Sequence, residues 1–390
     1  MTARFVKLDT KLIAAFDAVL APEVVTYATG TGAALSMLSS RRGLSGVLTA
    51  ILRALVSGPS AGPLVEGNLT RKAMRLPWLY GNPVVRGVYG AIKRFEAALL
   101  RDALEAELTG RDDLAIIYNG SNYPESVLKD VSGRLGMRRV FIENGFFPRT
   151  MQFDPVGLNG GNSMPRDPGF YLDTEADFAA EGLPQAVNNR AAKKAGMEEV
   201  PLEPGFVFVP FQVPSDMQVT LHSPWIRDMS QFLDAIIAAA ERNPDEVFVI
   251  KEHPSYKRSV KGTRPAHPRV IFANGNVTSE MIGQARAVIT LNSTVGIEAL
   301  LLDKPVITLG RACYNIEGLV QHAPDPEALD RALAVTRDWR PDPRLRRQVI
   351  GWLWNRYLVQ GPKNEPPADL GARILARVGG PEAIRALPPR

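Results

Sequence analysis

Residues 287–310, AVITLNSTVGIEALLLDKPVITLG, decide the fold. AVITLNS is an apolar, β-branched run closing on turn residues, GIEALLL is rich in helix formers, and PVITLG is apolar and β-branched again. Strand, helix and strand in that order belong to one parallel sheet, because a parallel return needs a crossover whereas an antiparallel one needs only a tight turn. Upstream the alternation continues: GFVFVPFQV (205–213) reads as a strand, WIRDMSQFLDAIIAAAER (225–242) as a helix, EVFVIKEHP (246–254) as a strand and SEMIGQA (279–285) as a short helix. The second half is therefore an α/β unit with crossover helices.

The first half is α/β from about residue 114. LAIIYNG (114–120) reads as a buried strand, residues 125–135 as a helix and RRVFIENG (138–145) as the next strand. Residues 148–170, with many Gly, Pro, Asn and Asp, are expected to form a long functional loop, and 183–205 an interdomain connection. A chain of 390 residues exceeds the size at which one core keeps growing. The expected division is an N-terminal lobe at 1–200, a C-terminal lobe at 201–325 and a helical extension at 326–390. The first hundred residues read as helical. Leu44, Val47, Leu48, Ile51, Leu52 and Leu55 share a helical face, expected to pack into the core, while Arg41, Arg42 and Arg53 keep a membrane surface open. TGTGAAL (29–35) reads as a loop, with nothing to mark it as a turn between strand and helix.

With 45% hydrophobic and 22% charged residues, the chain is neither disordered nor a polytopic membrane protein. The start MTARFVKLDTKL lacks the order of a signal peptide, and the single cysteine, Cys313, offers neither an internal disulfide nor a thiolate cluster, so a reducing cytoplasm is expected. The formal charge of +5 suits an anionic substrate or lipid surface, or is an arginine-rich solvated surface with no such partner. Nucleic acid is not expected, since no zinc-finger spacing, aromatic RNA-binding strand or lysine-rich block is present.

Ligands of such sheets gather at the carboxyl ends of strands. Four clusters stand there: Glu143-Asn144-Gly145, Gln212 with Asp216, Lys251-Glu252-His253-Pro254, and Asn292-Ser293-Thr294-Val295-Gly296. Asn119, Gly120 and Ser121 end a further strand. His253 can donate to an anionic oxygen, with Pro254 fixing the turn, or be a strand-end histidine capped by backbone. Ser293 and Thr294 precede a helix, so their hydroxyls and the first amides can converge on a phosphate, or simply cap the helix. Glu298 can reach a ribose hydroxyl, or be an exposed helix carboxylate. Asp216 and Glu143 are each a turn residue or a nucleophile or base.

In this order, VPFQVPSDMQVTLHSPW, VIKEHP, AVITLNSTVGIEALLLDKPVITLG and ACYNIEGLV resemble the bacterial capsule polysaccharide synthesis family, and ENGFFPRTMQFDPVGLNGGNS (143–163) resembles its first-half segment. The resemblance implies a GT-B-like α/β fold, two Rossmann-type lobes with a central cleft. It implies a retaining β-Kdo glycosyltransferase that takes Kdo from CMP-Kdo without metal or other cofactor, for capsule or lipopolysaccharide synthesis. On its motifs Asp216 is the nucleophile and Glu143 the acid/base. His253, Pro254, Ser293, Thr294, Glu298, Gln212, Lys251, Asn292 and Gly296 fall on the donor side, and Arg149, Arg166 or Lys251 would pair with the sugar carboxylate. The acceptor would be a glycan or lipid-linked glycan, with peripheral association at the inner face of the inner membrane. The alternatives are a transferase for another CMP-activated keto-sugar acid, such as sialic acid, and a noncatalytic polysaccharide- or lipid-binding export component.

Overall fold

The computed structural model describes residues 4–56, 58–187, 197–256 and 258–388. Along the chain run β1 (Phe5–Leu8), β2 (Val24–Tyr27), β3 (Leu114–Tyr118), β4 (Arg139–Asn144), β5 (Thr150–Asp154), β6 (Val207–Pro210), β7 (Phe248–Lys251), β8 (Val270–Phe272), β9 (Ala287–Thr290), β10 (Val306–Thr308), β11 (Gln321–His322) and β12 (Val359–Gln360). They form two sheets, ordered β12-β5-β4-β3-β1-β2 and β11-β10-β9-β6-β7-β8. The second sheet is parallel throughout. The first is parallel from β2 to β4 and ends in the antiparallel strands β5 and β12. The α/β class with two Rossmann-type lobes is thus as expected.

Two compact units contain these sheets: Met1–Gly145 with Arg149–Leu158 and Val359–Leu387, and Phe146–Pro148 with Asn159–Leu358 and Pro388–Arg390. The expected boundary near residue 200 therefore gives way to one at 158/159, and the expected C-terminal extension divides at 358/359. Of the expected connection at 183–205, residues 188–196 lie outside the described residues.

In the first unit, strand alternation sends side chains to opposite faces. Val6, Leu8, Ile117 and Phe141 face the helices Thr31–Val56, Gly62–Arg75, Pro83–Leu108 and Glu125–Arg134. Phe5, Ile116, Val140, Ile142, Met151 and Phe153 face Phe16, Leu20, Leu370 and Ile374. In the second unit β6, β7 and β9 are buried along their whole length, as strands covered on both faces must be. The crossover helix Met229–Arg242 starts at an Asp228 cap that accepts from Gln231 N–H at 2.9 Å, and it buries Phe232, Leu233 and Ile236.

Three local readings change. The helical N-terminal stretch also contains β1 and β2, four residues each, and β1 carries a buried Lys7 that interrupts its apolar pattern. In TGTGAAL, Thr29 and Gly30 belong to the turn from β2, and Thr31–Leu35 open the helix. The expected loop at 148–170 holds β5, whose Met151 and Phe153 are buried in the core, followed by the turn Asn159–Gly161 and the short helix Gly169–Leu172.

Candidate functional site

In the second unit the chain begins its sheet at β6, moves outward through β7 to β8, then returns on the other side through β9 to β10 and β11. The strand order reverses between β6 and β9, the point where open α/β sheets form their ligand crevice beyond the carboxyl ends. Asp216 follows β6, Ser293 and Thr294 follow β9, and His253 follows β7. Three of the four sequence clusters thus come to one sheet edge on three adjacent strands.

The loops after β6 and β9 are tied together by Asn292. Its Oδ1 accepts from Gln212 Nε2 at 3.1 Å, and its Nδ2 donates to the carbonyls of Gln218 at 2.7 Å and His222 at 3.2 Å. Gln218 Nε2 donates back to the Asn292 carbonyl at 3.3 Å. Gln212, Asn292 and Gln218 are all buried, so in this structure Gln212 and Asn292 hold the two loops together. Asp216 is exposed and caps the helix Met217–Thr220, accepting from Gln218 N–H at 3.0 Å.

Ser293 caps the helix Thr294–Leu301, its hydroxyl oxygen accepting from Val295 N–H at 3.2 Å. The Gly296 amide donates to the Ser293 carbonyl at 3.0 Å. Two of the amides expected to meet a phosphate therefore have partners within the cap. A capping hydroxyl still carries a proton to donate, and both Ser293 and Thr294 are half-buried at the edge. Tyr314, missed in the sequence, donates its hydroxyl to the Ser293 carbonyl at 2.5 Å. A Cβ on Gly296 would run into the Tyr314 hydroxyl and ring, so this glycine answers to packing. Glu298 is fully buried, which removes its reading as an exposed helix carboxylate.

The β7 loop is held by Glu252, buried beside it. Glu252 accepts from Val260 N–H and the Ser259 hydroxyl, both at 2.7 Å, and from Asn274 Nδ2 at 2.8 Å. His253 Nδ1 lies 3.2 Å from Ser255 N and 2.8 Å from its Oγ. Because a backbone N–H can only donate, Nδ1 is the accepting nitrogen and the neutral ring carries its proton on Nε2. Lys251 is buried, with its ammonium donating to the Asn276 carbonyl.

In the first unit, Glu143 is the penultimate residue of β4, half-buried. Its Oε1 accepts from the Tyr118 hydroxyl at 2.8 Å and its Oε2 from Asn119 Nδ2 at 2.6 Å. Lys363 extends the chain, donating to the Tyr118 hydroxyl at 3.0 Å with its ammonium 5.0 Å from the ring centre. Burial and then the Glu143 carboxylate raise the Tyr118 pKa, keeping the phenol a donor. Asn119 supports this at a positive φ of 62°, a conformation that Asn tolerates better than most residues. Lys363 had no sequence signal, since it arrives from a segment remote in the chain.

The basic candidates have protein partners. Arg149 pairs with Glu365 at 2.8 Å on the surface. Arg166 donates to the carbonyls of Gly160, Asn162 and Met164, each at 3.0 Å, clamping that loop. Sequence reading missed Arg311, exposed just beyond β10 and without an ion pair among the described residues. Near it, burial first and then Arg311 and Arg166 lower the His222 pKa. Cys313 is buried, and burial pushes its thiol up to about 12, so it is inert as a nucleophile.

The fold and this edge define an α/β protein whose polar strand-end clusters gather at the topological switch of its second sheet. A family model described as "Capsule polysaccharide biosynthesis protein" matches residues 178–345, which lie in the second unit. Protein FixF of Sinorhizobium fredii is 53% identical over 375 residues, covering 95% of this chain and 92% of that protein. The capsule polysaccharide export protein KpsS of Escherichia coli is 28% identical over 163 residues, covering 39% of this chain and 40% of its own. Among solved structures, the β-Kdo 2,4 transferase of Thermosulfurimonas dismutans KpsC aligns with a TM-score of 0.45 at 18% identity, over 68% of this chain and 87% of that one. The chain belongs to the capsule polysaccharide biosynthesis family.

Proposed function

We propose that the protein is a retaining glycosyltransferase that moves Kdo from CMP-Kdo to a glycan or lipid-linked glycan of the bacterial surface. The observation carrying this reading is the gathering of Asp216, His253 and Ser293-Thr294 beyond β6, β7 and β9, at the switch point of the second sheet. The His253 Nε2–H and the Ser293 hydroxyl are donors suited to the donor phosphate, and they stabilise the charge that CMP takes as it leaves. Asp216 attacks the anomeric carbon as the bond to the CMP oxygen breaks, giving a glycosyl ester and free CMP. The acceptor oxygen then displaces Asp216 at that carbon, and Glu143, oriented by Tyr118 and Asn119, takes the acceptor proton. With the phosphate charge met by protein donors, the reaction proceeds without a metal, in the cytoplasm. Arg311 is the assigned partner of the sugar carboxylate, since it is exposed beyond β10 and a guanidinium suits a carboxylate.

Intact-protein mass spectrometry after incubation with freshly generated CMP-Kdo tests the reading. One added Kdo mass that persists in Glu143→Gln and vanishes in Asp216→Ala supports both donor and double displacement. If neither an adduct nor CMP release is seen, the donor assignment fails, and other CMP-activated acids follow as candidates.

A further inference from the structure

The helix Thr31–Val56 breaks at Gly43, whose φ of 68° and ψ of −173° no ordinary helical residue adopts. Beyond the break, Leu44–Val56 is an arm about 20 Å long. One side of the arm packs normally: Ala50 and Ala54 are buried in the core, with Val47 and Ile51 against it. The adjoining side does not. Leu44 is 77% exposed, Leu48 and Leu52 63% each, Leu55 66% and Val56 81%. Spaced i, i+4, i+8 and i+11, the four leucines form a continuous row. The sequence expectation that this face closes onto the core holds for Val47 and Ile51 and fails for the four leucines, because Ala50 and Ala54 occupy the centre of the core-facing side.

Charge indicates what would cover the row. Between residues 31 and 56 there are three arginines, Arg41, Arg42 and Arg53, and no Asp or Glu. Arg41 is paired with Glu107 at 2.9 Å, while Arg42 and Arg53 are exposed, one near each end of the arm. A second copy packed on this row by a two-fold axis would bring Arg42 and Arg53 of one copy toward those of the other, and residues 31–56 supply no Asp or Glu from either copy. An anionic bilayer accepts both parts at once, leucines into the acyl boundary and guanidiniums onto lipid phosphates. Among the described residues no helix is long and apolar enough to cross a membrane, so the arm would lie in the interface.

We infer that the leucine row of residues 44–56 is a docking surface for an anionic lipid bilayer. This goes beyond the glycosyltransferase reading and stands on different residues. Flotation of the full chain with phosphatidylcholine vesicles, with and without phosphatidylglycerol, tests it. Wild type is expected to float with the anionic vesicles, less with the neutral ones, and less at high salt. Leu48→Glu with Leu52→Glu should lower binding at least about tenfold, since it removes buried apolar area and adds like charge to the lipid, while Arg42→Glu should lower it on anionic vesicles alone. Val335→Glu, at a hydrophobic residue 45% exposed in the other unit, should float as wild type does, and circular dichroism should be unchanged in all variants. Failure of wild type to float, or equal flotation of the double variant, overturns the inference. So does light scattering that shows a dimer abolished by the double variant without any change in flotation.

Discussion

Glu125 is a carboxyl buried within the first unit, one oxygen accepting from Tyr118 N–H at 3.1 Å and the other without a hydrogen-bond partner among the described residues. Burial raises its pKa from 4.5 to about 8, against the pull of the Tyr118 amide and of Lys7. The folded state therefore holds this proton more tightly than the unfolded state. The contribution to stability is full below the unfolded value and is lost as pH rises toward the folded one, at up to about 1.4 kcal/mol per pH unit. Glu125→Gln keeps the acceptor for Tyr118 N–H and removes the titration. Its stability relative to wild type should rise progressively from pH 5 to pH 8, as measured by urea unfolding followed by circular dichroism. A variant that tracks wild type at every pH would mean that the carboxyl ionises freely in the fold.

At the scale of elements, the loops after β6 and β9 are one construction, because Asn292 serves both. Its two amide hydrogens meet the carbonyls of Gln218 and His222, and its Oδ1 meets Gln212 Nε2. Asn292→Ala leaves buried partners unmet and should cost about 1–3 kcal/mol. Asn292→Asp should cost more, since it turns a carboxylate oxygen toward two carbonyls in a buried place. Urea titrations of both variants check the order. The clusters after β6, β7 and β9 were legible because each follows a fully apolar run that stops at polar residues. The network joining them was not, because pairing of Gln212 with Asn292 depends on strand order, and β6 and β9 are far apart in sequence. β11 and β12 carry two residues each, too short for periodicity to mark, while β1, as long as β6, is interrupted by Lys7. The leucine arm shows a different limit: helical spacing identifies an apolar face but not what lies against it.

For the whole molecule, the C-terminal segment returns to complete the first unit. After Leu358 the chain leaves the second unit and adds β12 to the edge of the first sheet, where Val359 pairs with Met151 and Gln360 with Thr150. The Gly361 amide donates to the Arg149 carbonyl at 2.9 Å, and Lys363 reaches Tyr118. Val359, Leu370 and Ile374 are fully buried in the cluster that holds Phe5, Phe16 and Leu20. At about 1.5–3 kcal/mol for each buried aliphatic side chain, these three rival the 5–15 kcal/mol net stability of an ordinary domain. A trailing extension could be trimmed without harm, whereas a returning one could not. A chain ending at Leu358 should therefore lose protection in residues 4–158 while 159–358 stay protected, as read by hydrogen–deuterium exchange mass spectrometry. Full protection of β1 and β3 in the truncated chain would show that the first unit closes without the returning segment.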